Sequence, residues 1–363
     1  MARKLDFDKV LFTAILLLLA LGLIMVYSAS VATSPGDAGF GLSRSPFTKQ
    51  LIASAVGLAA MAVAMAVDYR LLRRPPVLYA VVGGVLALLV AVLFAPMLNE
   101  SRRWLFVGGI SIQPSELAKL ALVIFLAYQI DRKKEHVNQG VTLIPCAVLL
   151  GLMCVLIILE PDFGTAMLLV AVCTLMLFVG GLAWRYLAIA GLVAVPVFFA
   201  LVVSVPYRRA RLFAFLRPED DPLDKGFQVI QSLIAVGSGG IFGVGLGQSV
   251  QKLHFLPLAN SDFIFAILCE ELGLIGGLVV LLLLGVVAWR GLRAGDRAPD
   301  AFGRYLAWGI TAMILVQALV NISITLNLLP TTGTPLPLVS YGGSSLVTVL
   351  ASCGLLLNVS QHA

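Results

Sequence analysis

The chain has 363 residues, 60% of them hydrophobic and only 12% charged, with a net charge of +6 and a mean hydropathy of +1.00. Soluble domains are about half apolar and about a quarter charged, so the composition excludes a soluble globular protein and predicts an all-α polytopic membrane protein. The basic residues are scattered over loops without interleaved aromatics, which argues against nucleic acid as a partner.

A spanning helix needs ~20 mostly apolar residues. Ten segments qualify: residues 10–27, 51–67, 77–95, 114–130 and 141–159, then 165–180, 183–205, 263–289, 305–328 and 344–359. In the first, Arg3, Lys4 and Lys9 precede an apolar core and Ser28-Ala29-Ser30 follows it, as in a secretory signal. More membrane segments follow soon after, so a signal anchor is expected instead. With a cytoplasmic N-terminus, fourteen Lys and Arg fall in inside loops and four in the short outside loops. Cytoplasmic loops are the ones enriched in Lys and Arg, so both termini are expected in the cytoplasm. The five cysteines, Cys146, Cys154, Cys173, Cys269 and Cys353, fall inside these segments without CxxC spacing. They read as small apolar side chains, not as zinc ligands or disulfides.

No separate soluble domain is apparent, and the chain reads as one integral-membrane unit, 1–363. One large extracytoplasmic loop, 206–261, separates the seventh and eighth segments. It opens with the basic cluster "YRRARLFAFLRPEDDP" and continues "KGFQVIQSLIAVGSGGIFGVGLGQS". Phe227, Ile230, Leu233 and Ile234 recur at helical spacing, predicting a half-buried or interfacial helix, which the glycines from Gly237 to Gly247 then break. The backbone of such a glycine run can cradle phosphate. Without a GK[ST] ending or a preceding strand, a turn or re-entrant segment explains it at least as well.

Ionisable groups within apolar segments are the informative exceptions, since each costs ~2.5–3.5 kcal/mol near the bilayer centre. Glu116 and Lys119 are three residues apart on a helix that Pro114 starts, so they share a face. With Arg102 and Arg103 in the loop above, they make a basic mouth suited to a phosphate or pyrophosphate. The alternatives are a structural ion pair for Glu116 and Lys119 and interfacial snorkelling for the two arginines. Glu160-Pro161-Asp162 forms a tight outer turn in which Asp162 caps the next helix. Asp262 falls at the seam between the long loop and the helix beginning at Phe263. It is either that helix's N-cap or a carboxylate directed into an outward cavity, as a general base or as the ligand of a divalent cation. His254 is too isolated for a Ser-His-Asp arrangement. Glu270 and Glu271 lie two turns inside the helix; at least one should face the bundle interior and, with a buried cation or polar partner, brace it.

Taken together, "GLIMVYSAS", "AVDYRLLRR", "NESRRWLFVGGISIQPSELAKLA", "EPDFGTAMLL", "FLRPEDDPLDKGFQVIQSLIAVGSGGIFGVGLGQSVQK", "DFIFAILCEELGLIGG" and "NISITLNLLPTTGTPLPLVSYGGSSL" resemble the SEDS family (shape, elongation, division and sporulation proteins) over nearly the whole chain. "GVGLGQSVQK", "QALVNI" and the "LLPTTGTPLPLVSYGGSSL" ending are more similar to its FtsW branch than to RodA. The resemblance implies a ten-helix peptidoglycan glycosyltransferase. It would polymerise lipid II at the outer face of the cytoplasmic membrane beside a class B penicillin-binding protein and other divisome or elongasome membrane proteins. A lipid II flippase and a non-catalytic division scaffold are the rival functions. The resemblance further implies that Asp262 is the essential aspartate, as base or as ligand of Mg or Mn. Gln113, Glu116 and Lys119 of the QPSExxK motif, and Ser340 and Tyr341 of "SYGGS", would then contact substrate. One departure stands out. The family pattern LPEAHTDFIFA reads "LPLANSDFIFA" here, so Leu258 replaces an acidic residue and Asn260 a histidine. The site is then altered, or the missing carboxylate comes from Glu219, Asp220 or Asp221.

Overall fold

The computed structural model describes residues 7–31, 46–97, 102–107, 110–133, 136–220, 226–253 and 255–363. Arg3, Lys4, Asp221 and His254 lie outside the described residues. The helices are α1 (Lys9–Val31), α2 (Pro46–Ala66), α3 (Pro75–Val92), α4 (Pro114–Arg132), α5 (Gly140–Leu159), α6 (Phe163–Val179), α7 (Trp184–Val203), α8 (Pro206–Leu216), α9 (Phe227–Ser238), α10 (Ile264–Arg297), α11 (Ala301–Thr325) and α12 (Gly343–Gln361). Each of the ten apolar segments corresponds to one helix, α8 and α9 being the two between the seventh and eighth. Proline occupies the first turn of α3, α4 and α8, where its missing N–H has no helical partner to lose.

Among the described residues, eight helices are long and apolar enough to cross a membrane. The two other helices from the ten segments are α6, at 17 residues, and α4, which carries Glu116, Lys119, Asp131 and Arg132. Nearly all of α4 is buried. Enclosed by protein on every side, it tolerates charges that a lipid-facing helix would expel. By contrast α7 leaves most of its apolar side chains exposed, the surface expected of a helix in lipid. Helices α2 and α12 cross closely through glycine. A Cβ on Gly57 would press on Leu350, and one on Gly354 on the Met61 backbone, so the small residues are what bring the two helices together.

One small feature departs from the all-helical expectation. Strands β1 (Leu105–Val107) and β2 (Ile110–Ile112) pair antiparallel, with Leu105 opposite Ile112 and Val107 opposite Ile110.

Polar contacts define the two ends of the bundle. At one end the Asp8 N–H donates to the Ser360 hydroxyl, Arg290 pairs with Asp8 at 2.6 Å, and Arg73 pairs with Asp131 at 2.9 Å. Tyr69 of the "AVDYRLLRR" motif is fully buried there. Its hydroxyl donates to Asp300 at 2.6 Å and its N–H to the Asn358 side chain. The beginning of α1 and the end of α12 therefore share this basic end. Asp162, Asp262 and Ser340 lie at the other.

Within residues 206–261, α9 forms where the apolar spacing predicts a helix, but it packs through a different face. Val229, Ser232 and Ala235 are buried while Leu233 and Ile234 point outward. The small face allows close approach to α11, where the Ser232 hydroxyl donates to the Thr325 carbonyl at 2.8 Å. The glycine run that follows has a structural task. Helix α10 breaks at Gly273, whose φ of 66° is open only to glycine at little cost. The break frees backbone groups that hydrocarbon cannot satisfy. The glycine run supplies the partners: Val244 and Gly245 N–H donate to the Glu270 and Glu271 carbonyls, and Leu274 N–H donates to the Gly240 carbonyl. A Cβ on Gly239 or Gly243 would overlap the Cys269 or Glu271 carbonyl.

Candidate active site

Asp262 lines a small pocket with Arg211, Gln228, Leu258, Thr331 and Thr334. The cavity holds about 10 Å³, room for about one water. Three consecutive carbonyls fix the backbone here. Asn260 accepts from the Tyr341 N–H at 2.9 Å, Ser261 from the Ser340 hydroxyl at 2.6 Å, and Asp262 from the Asn321 side-chain amide at 2.8 Å. Leu258 sits at φ 56°, and its carbonyl accepts from the Ser261 N–H at 3.1 Å, closing the turn ahead of Asp262. Among the hydrogen bonds of the first turn of α10, none caps the helix through a side chain; the carboxylate faces the pocket. Burial pushes the Asp262 carboxyl up to about 6. A hydrogen bond from Ser261 and the charges of Arg211 and Arg103 restrain that rise, and the Asp162 charge adds slightly to it.

The second wall of the pocket, residues 331–334, is held from α11. Asn321 donates to the Thr334 carbonyl as well as to that of Asp262, and one turn away Gln317 donates to the Pro335 carbonyl at 2.9 Å. The Gln317 oxygen in turn accepts from Lys119 at 2.6 Å, and Lys119 pairs with Glu116 at 2.8 Å. Lys119 and Glu116 are each 3% exposed. The structure thus brings these two together beneath the pocket wall and does not bring them to the pocket itself. Ser340 and Tyr341 act on the backbone before Asp262, and Gln50 of α2 holds their turn through the Ser340 carbonyl and the Gly342 N–H.

The remaining predicted residues fall in two groups. Asp162 caps α6, accepting from the Thr165 N–H and hydroxyl, and also accepts from Gln113 at 3.2 Å. Arg103 donates to the Glu160 carbonyl at 3.2 Å and to that of Pro161, while Arg102 donates to the Leu93 carbonyl at 2.8 Å. Glu160 is fully buried with neither carboxylate oxygen hydrogen-bonded. Burial first, then the Asp162 charge, raise its carboxyl to about 8 against the pull of Arg103. Farther along α10, Glu271 pairs with buried Lys252 at 2.7 Å and accepts from the Ser28 hydroxyl, whereas Glu270 accepts from the Val250 N–H and the Ser249 hydroxyl. These two glutamates tie the strap before Asp262 to α10 and α1. Glu219 and Asp220 are exposed and do not line the pocket; Asp220 lies 3.9 Å from Arg217.

Arg211, Gln317, Asn321 and Gln50 escaped the sequence reasoning, which weighed mainly ionisable groups within apolar segments. Gln317 and Asn321, four residues apart in an apolar helix, carried a usable signal.

A family model described as "Cell cycle protein", covering FtsW, RodA and SpoVE, matches residues 8–363. The chain belongs to the FtsW/RodA/SpoVE family. Stage V sporulation protein E of Bacillus subtilis (strain 168) is 44% identical over 99% of both chains. A Geobacter metallireducens protein named "Probable peptidoglycan glycosyltransferase FtsW" is 42% identical over 98% of this chain and 95% of its own. Among solved structures, a chain from a study of how a peptidoglycan synthase complex coordinates polymerization and crosslinking superposes with a TM-score of 0.79, at 31% identity over 98% of both chains. This FtsW/RodA/SpoVE family member is accordingly a multi-pass membrane protein.

Among the described residues, no group of three or more His, Cys, Asp or Glu side chains converges to hold a metal ion. The pocket itself offers one carboxylate. That suffices only for an ion of the Mg type, which takes one or two carboxylates and completes its shell with waters and substrate phosphates.

Proposed function

We propose that this chain is an inverting peptidoglycan glycosyltransferase that polymerises lipid II at the outer face of the bacterial cytoplasmic membrane. The observation that carries it is Asp262, a carboxylate raised to about 6 in a pocket shared with an arginine, in a chain related to proteins named for this activity. The end of the bundle holding the start of α1 and the end of α12 is rich in arginine, the pattern of a cytoplasmic face, which supports a pocket that opens outward.

In the transfer, the 4-hydroxyl of the acceptor sugar attacks the anomeric carbon of the donor sugar. Asp262 takes the hydroxyl proton as the new glycosidic bond forms. The bond from the anomeric carbon to pyrophosphate oxygen breaks, and the lipid pyrophosphate leaves with the electron pair. A base works best with a pKa near the operating pH, which burial gives Asp262. The carbonyl bonds from Tyr341, Ser340 and Asn321 hold it in place, and Lys119 and Glu116 act through Gln317 on the facing wall. Were a divalent cation, Mg or Mn, used instead, Asp262 would be the residue to hold it, and the ion would supply positive charge to the leaving group. The partner expected is a class B penicillin-binding protein that crosslinks the strands; the similarity to a chain of a peptidoglycan synthase complex supports it.

The test is polymerisation by the purified full chain given lipid II, with and without the partner and divalent cations. Glycan strands are expected, and Asp262→Ala should slow their formation by roughly 10²–10⁴-fold, the range for a lost general base. Unchanged synthesis by a well-folded Asp262→Ala protein would remove the base role. Lipid II translocation without polymer would make the chain a flippase.

A further inference from the structure

A transfer that releases pyrophosphate is favoured by positive charge at the leaving group, and the cations expected from the sequence do not line the pocket. Lys119 is buried against Glu116 and Gln317, Arg102 is bonded to the Leu93 carbonyl, and Arg103 to those of Glu160 and Pro161. On α8, Arg208 donates to the Leu201 carbonyl and lies over the Phe163 ring, 5.1 Å from its centre. Arg211, one turn along, is the arginine that lines the pocket beside Asp262. Its Nη1 donates to the Thr331 carbonyl at 3.0 Å across the rim. The planar fork of five N–H donors in a guanidinium matches the geometry of phosphate oxygens.

We propose that Arg211 binds the leaving pyrophosphate of the donor lipid, a phosphate oxygen taking the place that the Thr331 carbonyl holds in this structure. The role as leaving-group ligand rests on the glycosyltransferase function above; the pyrophosphate site itself does not. It gives the basic cluster that opens the long loop a task, with α8 carrying the cation to one side of the pocket while the strap before α10 carries the carboxylate to another. The exchange of Thr331 for phosphate also couples binding to opening, because the Arg211 bond to Thr331 spans a pocket now large enough for about one water.

The test uses the full chain in lipid nanodiscs, in EDTA so that no metal bridges the contact, and compares binding of a polyprenyl pyrophosphate with that of the uncharged polyprenol. The wild type should prefer the pyrophosphate, with inorganic pyrophosphate competing if the headgroup alone is recognised. Arg211→Gln should weaken pyrophosphate binding by about 10- to 100-fold, the worth of a charged hydrogen-bonded contact, with polyprenol binding unchanged. Arg209→Gln, an exposed change on the same helix, should leave the preference intact. Should Arg211→Gln not fold, Arg211→Lys keeps the charge but loses the fork, and about tenfold weakening is expected. Wild-type preference in the folded Arg211→Gln protein, or in Arg211→Lys when that variant has to be used, would overturn the proposal. A parallel polymerisation assay separates the two conclusions. Arg211-dependent pyrophosphate binding without strand synthesis by the wild type would keep this site and remove the enzyme. Wild-type strand synthesis by Arg211→Gln would keep the enzyme and remove Arg211.

Discussion

Glu271→Gln offers a direct measure of how firmly the strap before Asp262 is fastened. Glu271 is 1% exposed and Lys252 6% exposed. The Lys252 ammonium donates to Glu271 Oε1 at 2.7 Å and to the Ser28 hydroxyl at 2.9 Å, and Ser28 donates back to both carboxylate oxygens at 2.7 and 2.8 Å. Glutamine keeps the shape but leaves the ammonium buried without a counter-charge, which costs about 3–5 kcal/mol. Lys252→Met strands the carboxylate and should cost a similar amount. The double variant removes both charges, and replacing a whole buried pair is often nearly neutral. Its loss should therefore fall well short of the sum, with a coupling energy near the upper end of the ~0.5–3 kcal/mol range for residues in contact. Reversible unfolding of the full chain in mixed micelles, followed for all four proteins, gives that coupling directly. Additive losses, with coupling below about 0.5 kcal/mol, would show that the pair does not fasten the strap.

Three further outcomes follow from other parts of the molecule. The polymerisation rate should rise with pH through about 6 and then level, because Asp262 accepts a proton only as the carboxylate and burial holds its pKa there. Removing the Arg211 charge should move that inflection upward, since this charge favours the ionised form. Glu160, raised to about 8 mainly by burial, makes the folded state the stronger proton binder. Its stabilising contribution is full below its unfolded pKa of about 4.5 and is lost as pH rises through about 8. Unfolding should be easier at pH 9 than at pH 6, and Glu160→Gln should flatten that difference, on the order of several kcal/mol at most. Gly239→Ala should destabilise by about 1–3 kcal/mol or more through backbone overlap with Cys269. Gly240→Ala should lose only ~1–2 kcal/mol, because it has open space and only its left-handed φ of 54° to contend with. Equal losses in thermal unfolding would mean that the glycine run does not press on α10.

How much of this was legible in the sequence depended on how local the cause was. Apolar run length marked the segment behind every long helix, and Pro114 marked the start of α4, because both act within a few residues. Glu116 and Lys119 could be paired from their spacing alone. Their destination was not legible, since Gln317 lies on another helix and only tertiary packing joins them. The same holds for Asn321, which reaches the carbonyls of Asp262 and Thr334 from mid-helix. For α9, the spacing predicted a half-buried or interfacial helix, but not that the smaller Val229, Ser232 and Ala235 face the protein, which follows because close approach favours small side chains. The glycine run carried only a weak phosphate-loop signal beside its reading as a turn or re-entrant segment, and Gly273 showed which backbone groups it has to satisfy.

The carbonyls of Asn260, Ser261 and Asp262 are each gripped by a donor from elsewhere in the fold. Main-chain oxygens look alike whatever side chain they carry. A segment mounted in this way tolerates changes of side chain: leucine at 258 and asparagine at 260 stand where the family pattern that the sequence resembles reads an acid and a histidine, and such changes leave in place the carbonyl contacts that hold the aspartate. Restoring those two residues here would therefore retune the site and leave its geometry as it stands.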